Sequence, residues 1–364
     1  MRKETKNFIV TLTYVCFTAF FVAMCICAGL NPRAQSESER RPLAQFPENI
    51  TAKGLFDGSV IEKFDAFTVD QFPLRERFRG LKAAFQYQVL GLKENNGLAL
   101  QDGYFAKITP EFTEGLVDGS IERLSYVYEK LVSGKTYVCL VPDKNYYLGR
   151  DYGYPMPDYE AVIQTLQTAL PGAQYVDIFD ALSLESYYRT DTHWRQERLL
   201  PVAEKLCAAL GVPVGKDYTK NTLEGFKGVY YGQSAMSPEP DALVYLTNDT
   251  LADCTVYDYE TGKHTGIYNP EKFGGKDGYD VFLGGTKALL RIDNPNAKID
   301  RELVVFRDSF GSSLIPLLVQ GYQSVYVVDI RYVMPDALPQ YIDMGGKDTL
   351  FLYSGLILDQ KAFK

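Results

Sequence analysis

The sequence predicts an α/β protein: a doubly wound parallel sheet with a β-rich insertion, preceded by an N-terminal transmembrane helix. Three observations carry this. Residues 8–30 form an uncharged apolar run. From residue 119 onward, continuous apolar stretches of strand length alternate with stretches of helical periodicity, the pattern of a sheet buried on both faces. Within that stretch, residues 225–290 are rich in Tyr, Gly and Thr and have hairpin character, as an insertion of short strands would. Composition bounds the rest. A chain of 364 residues, 46% hydrophobic and 23% charged, has ample material for one large domain or two medium ones. It is neither a disordered tail nor a small disulfide scaffold. A net charge of −8 excludes a duplex nucleic-acid binder, which needs a basic face to displace counterions. With only two histidines, His193 and His264, and no CxxC spacing, no metal site and no cofactor is expected.

The apolar run from Phe8 to Leu30 follows Arg2, Lys3 and Lys6. As a helix it would reach about 34 Å, enough to cross a hydrocarbon core of about 30 Å. Basic residues before it hold that end in the cytoplasm and send the remainder outward. The length favours an uncleaved anchor, while the small residues Ala28 and Gly29 keep a cleaved signal peptide open, which would make the protein secreted. Both readings place the rest of the chain outside the cytoplasm. Cys16, Cys25 and Cys27 lie in the run, and Cys139, Cys207 and Cys254 beyond it read as buried free thiols. Residues 31–56 are polar and Pro-bearing, suited to a tether, with Asn49-Ile50-Thr51 matching a glycosylation sequon. Residues 57–364 are read as the folded domain. A helical stretch at about 58–91 is interrupted by Pro73, and Gln101-Asp102-Gly103 reads as a tight turn between short strands. Strands are expected at 135–141, 174–178, 302–306, 324–328 and 349–353. Helices are expected at 121–131, 159–170, 194–210 (closed by Gly211) and 312–320.

Two segments carry candidate chemistry. In ELVVFRDSFGSSLIPLL, residues 302–318, a buried strand ends, a turn presents Asp308-Ser309-Phe310-Gly311, and a helix begins. Carboxyl ends of parallel strands are where such sheets hold ligands. A helix N-terminus there offers free N–H groups to a developing oxyanion, so Ser309 is placed as a nucleophile would be. Ser309 as a simple helix cap is the competing reading. In YRTDTHW, residues 188–194, Asp191 and His193 precede a helix beside the only tryptophan, Trp194. A carboxylate two residues from an imidazole can orient it as a base. Alternatively Asp191 or Thr192 caps the helix and His193 is a packed side chain. His264, in YETGKHTG, reads as solvated surface.

The tetrapeptide Asp191-Thr192-His193-Trp194, followed by an apolar strand and FRDSFG, resembles the DHHW/alginate O-acetyltransferase group of SGNH-hydrolase-like proteins. RRPLAQFP, FPLRERF, GLALQDGYFAKI and VPDKNYY fall in that family's usual order, so the resemblance spans most of residues 40–340. Thr192 stands at the second position of the tetrapeptide, where the family name has its first His. The resemblance implies an SGNH-like fold and a catalytic set of Ser309 as nucleophile, His193 as base and Asp191 as orienter, with the Ser309 amide as one oxyanion donor. Gly228, Tyr231 and Gln233 in GFKGVYYGQSA are candidates for lining the site. Arg331, after a strand, is a candidate for holding an anionic substrate group or else a surface ion pair.

The expectation is therefore an exported, membrane-tethered acyltransferase that O-acetylates an extracellular or cell-wall polysaccharide through an acyl-serine. By resemblance, a membrane-bound O-acyltransferase would supply the acyl group. The same residues would serve a carbohydrate esterase or deacetylase that uses water as acceptor. A third reading is a non-catalytic polysaccharide-binding ectodomain, its 27 Tyr and 21 Phe stacking on sugars.

Overall fold

The computed structural model describes residues 3–236 and 238–363; Arg2, counted among the basic flank of the apolar run, lies outside them. The chain divides into two compact units, Met1–Asn95 with Gly232–Ser237, and Asn96–Tyr231 with Pro238–Lys364.

In the first unit, α1 (Lys3–Leu30) is the apolar run folded as one helix. Its stretch Asn7–Leu30 is long and apolar enough to cross a membrane, as an anchor or a signal segment. Helices α2 (Ser59–Asp70) and α3 (Arg75–Ala84) follow, with Pro73 in the break between them, where its missing N–H and fixed φ stop a helix. A wider helical turn, Phe85–Val89, prolongs α3. The polar residues after α1 are not loose. The Gln71 side chain accepts from the Arg33 amide and donates to the Arg33 and Ala44 carbonyls. Asp70 holds the Arg41 guanidinium at 2.6 Å, and Glu39 holds Arg75 at 2.6 Å.

The second unit opens with a hairpin of β1 (Leu98–Gln101) and β2 (Tyr104–Lys107). Its two turn residues, Asp102 and Gly103, both have positive φ (50° and 82°), the backbone that a two-residue hairpin needs to match strand twist. Then come α4 (Leu116–Leu131), β3 (Thr136–Val141), α5 (Lys144–Tyr152), α6 (Tyr159–Ala169) and β4 (Gln174–Tyr175). Next are α7 (Leu200–Leu210), β5 (Thr219–Phe226), β6 (Asp241–Thr247), β7 (Thr255–Asp258), β8 (Lys263–Thr265) and β9 (Leu289–Asp293). After them come β10 (Glu302–Arg307), α8 (Gly311–Leu318), β11 (Ser324–Val328) and β12 (Asp348–Ser354), followed by a single helical turn, Gly355–Leu358.

Eight strands form the main sheet in the order β8-β7-β9-β11-β10-β12-β3-β4. The five from β11 to β4 are parallel, and β9, β7 and β8 extend them antiparallel. Strand alternation sorts the side chains onto two covered faces. Leu303, Val305, Cys139 and Leu352 pack with Val202 and Leu206 of α7 and Leu314 of α8. Val304, Phe306, Val138 and Phe351 pack with Ile121 and Leu124 of α4 and Val162 of α6. This is the mixed α/β, parallel-rich architecture expected. Cys139, Cys207 and Cys254 are buried and free, and burial pushes the Cys207 thiol up to about 12.

Some boundaries differ from the sequence reading. The 225–290 region is not one separate insertion: β5 and β6 pair with each other, but β7 and β8 continue the main sheet through β9. Regular helix begins at Leu200 rather than Trp194, because Pro201 sits comfortably only in a first turn and Trp194 is engaged in a bridge to Tyr187. The strand at 174–178 is only two residues long.

Phe306 lies on the central strand with its ring stacked on Phe351, centroids 5.0 Å apart, and is fully buried. Phe306→Ala is expected to lower unfolding free energy by about 3–5 kcal/mol through lost burial and a cavity, read from the urea midpoint at unchanged m-value.

Candidate active site

Strand β10 delivers Ser309 to the carboxyl edge of the sheet. Three residues, Asp308, Ser309 and Phe310, separate the strand from α8, and Asp308 shapes the turn they make. Its Oδ1 accepts the Phe310 amide at 2.9 Å, while its Oδ2 accepts the amide and hydroxyl of Ser354 at 2.8 and 2.6 Å, at the end of the neighbouring β12. Ser309 does not cap the helix. The N-cap position is Phe310, without a side-chain cap, and the Ser309 hydroxyl points elsewhere: its Oγ lies 2.8 Å from His193 Nε2.

His193 arrives on a loop held from several sides. Its Nδ1 is 2.6 Å from Asp191 Oδ1, which also accepts the His193 amide at 3.0 Å. The other oxygen, Asp191 Oδ2, accepts the Val229 amide at 2.8 Å. Nδ1 is therefore the donor to the carboxylate and Nε2 faces the hydroxyl as acceptor. The next residue docks the loop on the serine turn. Trp194 Nε1 donates to the Phe310 carbonyl and to Ser313 Oγ, both at 3.0 Å. The Tyr279 ring stacks on the imidazole, centroids 3.9 Å apart and planes 8° from parallel, and its hydroxyl donates to the same Ser313 at 2.7 Å. One residue before the acid, Thr190 donates its amide and hydroxyl to Asp241 at 2.8 and 2.7 Å. Gly228 is packed so closely that a Cβ there would stand 2.3 Å from the Asp191 Cβ and 2.4 Å from the Thr190 carbonyl oxygen, so a larger residue would displace the loop.

Burial sets the electrostatics. Alone it would raise the Asp191 carboxyl, but the charge and hydrogen bonds of His193, with the Val229 amide, hold it well below the usual carboxylate range. Asp191 is 1% exposed and His193 8%, whereas Ser309 is half-buried, so the line opens to solvent at its hydroxyl end. Such a line can take a proton from a hydroxyl as it attacks and stabilise the imidazolium that results. Lys144, at the start of α5, supports it from behind. The residue is 3% exposed, and its ammonium donates to the carbonyls of Phe105 and Tyr188 and sits 4.9 Å from the centre of the Tyr230 ring. Burial brings it down to about 7 despite the nearby carboxylates of Asp191, Asp241 and Asp143.

The structure thus brings Ser309, His193 and Asp191 together, with Gly228 against the acid. The Tyr231 amide donates to the Thr190 carbonyl at 3.2 Å, and the Lys227 ammonium lies over the Tyr231 ring. Gln233 falls in the first unit. Arg331 is engaged by buried Asp329, Nε to Oδ1 at 2.8 Å and Nη2 to Oδ2 at 2.5 Å. His264 is exposed in β8. Tyr279, Asp241, Ser313 and Lys144 are the contributors that sequence reasoning missed. Among the described residues no group of three or more His, Cys, Asp or Glu is arranged to hold a metal ion.

An α/β protein with a Ser-His-Asp line at the end of a parallel strand is the class that fold and site define. The DHHW protein family model matches residues 180–328, a segment that contains all three residues, in agreement with the resemblance carried by Asp191–Trp194. A DHHW family protein from Eubacterium siraeum is similar in structure, with TM-score 0.60 and 26% identity over 74% of this chain and 94% of that one. PatB1 from Bacillus cereus, solved with a sulfonyl adduct, has TM-score 0.57 and 21% identity over 73% of this chain and 97% of that one. A second PatB1 structure has TM-score 0.55 and 20% identity over 74% of this chain and 99% of that one. No curated protein matches the chain.

Lys144 yields a pH prediction. Its proton is held less tightly folded, at about 7, than in an unfolded chain at about 10.4, so the unfolded state binds more protons between those values and stability from this group rises with pH across that window. Urea midpoints measured from pH 7 to pH 9 are expected to climb in the wild type and to flatten in Lys144→Met.

Proposed function

We propose that the protein is an extracytoplasmic, membrane-tethered SGNH-like O-acyltransferase that acetylates hydroxyl groups of a polysaccharide. The observation that supports this most directly is the unbroken line from Ser309 Oγ through the His193 ring to Asp191, at 2.8 and 2.6 Å. In the first half-reaction the Ser309 oxygen attacks the acetyl carbonyl of the donor, its proton passes to His193 Nε2, and the same proton is returned to the departing donor group. In the second, a sugar hydroxyl attacks the acetyl-serine ester, gives its proton to Nε2, and the Ser309 oxygen leaves and recovers it. Asp191 keeps the imidazole in the tautomer that allows both transfers and offsets its transient charge.

The Ser309 amide, at the turn into α8, is assigned as one donor to the oxyanion. Tyr231, next to the loop bearing Asp191, is assigned to the acceptor side. Arg331 is assigned a structural role, since its guanidinium is occupied by Asp329, and Gln233 has no role in this reading. The apolar helix Asn7–Leu30 supports tethering at the membrane, where a membrane-bound O-acyltransferase would present the acetyl group.

PatB1 carries a sulfonyl adduct, and in this reading Ser309 takes the same kind of electrophile. The full-length protein in detergent, incubated with phenylmethylsulfonyl fluoride, is expected to gain one sulfonyl group by intact mass, and Ser309→Ala none. A mass gain that persists in Ser309→Ala would overturn the assignment. With p-nitrophenyl acetate as donor, His193→Ala is expected to lose at least about a thousandfold in turnover. Acetylated oligosaccharide should accumulate when a sugar acceptor is added, and acetate released to water alone would identify an esterase instead.

A further inference from the structure

Helix α3 and its continuation are built inside out. Leu74, Phe78, Leu81, Phe85 and Val89 recur at i, i+4, i+7, i+11 and i+15, the spacing of one helical face. In a helix packed on a protein core that face would be covered. Here all five are exposed, at 60, 49, 67, 51 and 68%. The face turned to the protein is made of small residues instead, with Ala83 fully buried. Charge is sorted the same way. Arg75 and Arg79 turn inward to Glu39, at 2.6 and 3.3 Å, whereas Arg77 and Lys82 are exposed along the two edges of the apolar stripe. A stripe of Phe and Leu edged by basic side chains is the pattern of a helix lying in a membrane surface, the cations reaching up to the phosphates while the apolar groups enter the acyl-chain boundary.

Position within the unit names the occupant. Cys27 and Asn31, at the end of α1, line the same cavity as Leu74, Arg75 and Arg77, at the start of α3. The first residue of the stripe therefore stands beside the point where the apolar helix Asn7–Leu30 would leave the bilayer. We infer that α3 with its continuation to Val89 docks on the lipid surface next to the span, giving the protein a second membrane contact in addition to α1. The contact is with phospholipid, anionic headgroups pairing with Arg77.

The test uses the full-length chain reconstituted in bilayers of phosphatidylcholine and phosphatidylglycerol, with and without lipids brominated on the acyl chains. Leu81→Trp and Phe85→Trp place a fluorophore on the stripe at exposed positions where folding is not threatened. Trp194, the only native tryptophan, is fully buried and supplies a constant background. Phe20→Trp in the span is the positive control, and Met334→Trp, 60% exposed in the other unit, the negative one. Brominated lipid is expected to quench the emission at positions 81 and 85 by at least about half the extent seen at position 20, consistent with burial about 5–10 Å into the interface. Quenching no greater than at position 334 would overturn the inference. Blue-shifted emission without quenching would also overturn it and assign the stripe to a protein partner or a second copy.

Discussion

The site depends on one carboxylate that takes no part in the Ser-His-Asp line. Asp308 engages both of its carboxylate oxygens within the fold, binding the amide of Phe310 with one and the amide and hydroxyl of Ser354 with the other. These bonds join the ends of two adjacent parallel strands and fix the turn between β10 and α8. A buried amide left without such a partner costs about 1–3 kcal/mol, so the turn has one strongly favoured shape. Trp194 then grips that same turn through the Phe310 carbonyl. The tryptophan after the histidine thus ties a loop distant in sequence to the serine turn.

The loop itself is fixed by inward pressure rather than by regular structure. Asp241 binds Thr190, Gly228 lets a second backbone pass against Asp191, and Tyr279 covers the imidazole face. Burial declines from Asp191 towards Ser309. In a low-dielectric surrounding the carboxylate–imidazole attraction is strengthened, while the hydroxyl remains within reach of a substrate from solvent.

The parallel strands were legible because a strand buried on both faces reads as a continuous apolar run, and KTYVCLV, ELVVF and SVYVV do so. Ser309, Asp191 and His193 were legible because they combine rare residues with a strand end and a familiar tetrapeptide. Tyr279 and Asp241 were not, since their partners are far away in sequence and a tyrosine in a Tyr-rich segment carries no mark of stacking. Lys144 was hidden for the opposite reason: lysine is ordinarily a solvent-facing residue, and nothing in VPDKNYY says that three carboxylates and two carbonyls surround it. The stripe on α3 shows a further limit. Helical periodicity identifies an apolar face but does not say whether protein or another medium meets it.

The margins of the main sheet have a consequence of their own. One outermost strand, β4, has two residues and the other, β8, has three and begins with a lysine. Unpaired backbone along a long flat border would template the addition of strands from neighbouring molecules. Here so little border is offered, and one end of it is so charged, that copies crowded together on a surface have scant opportunity to zip into fibrils.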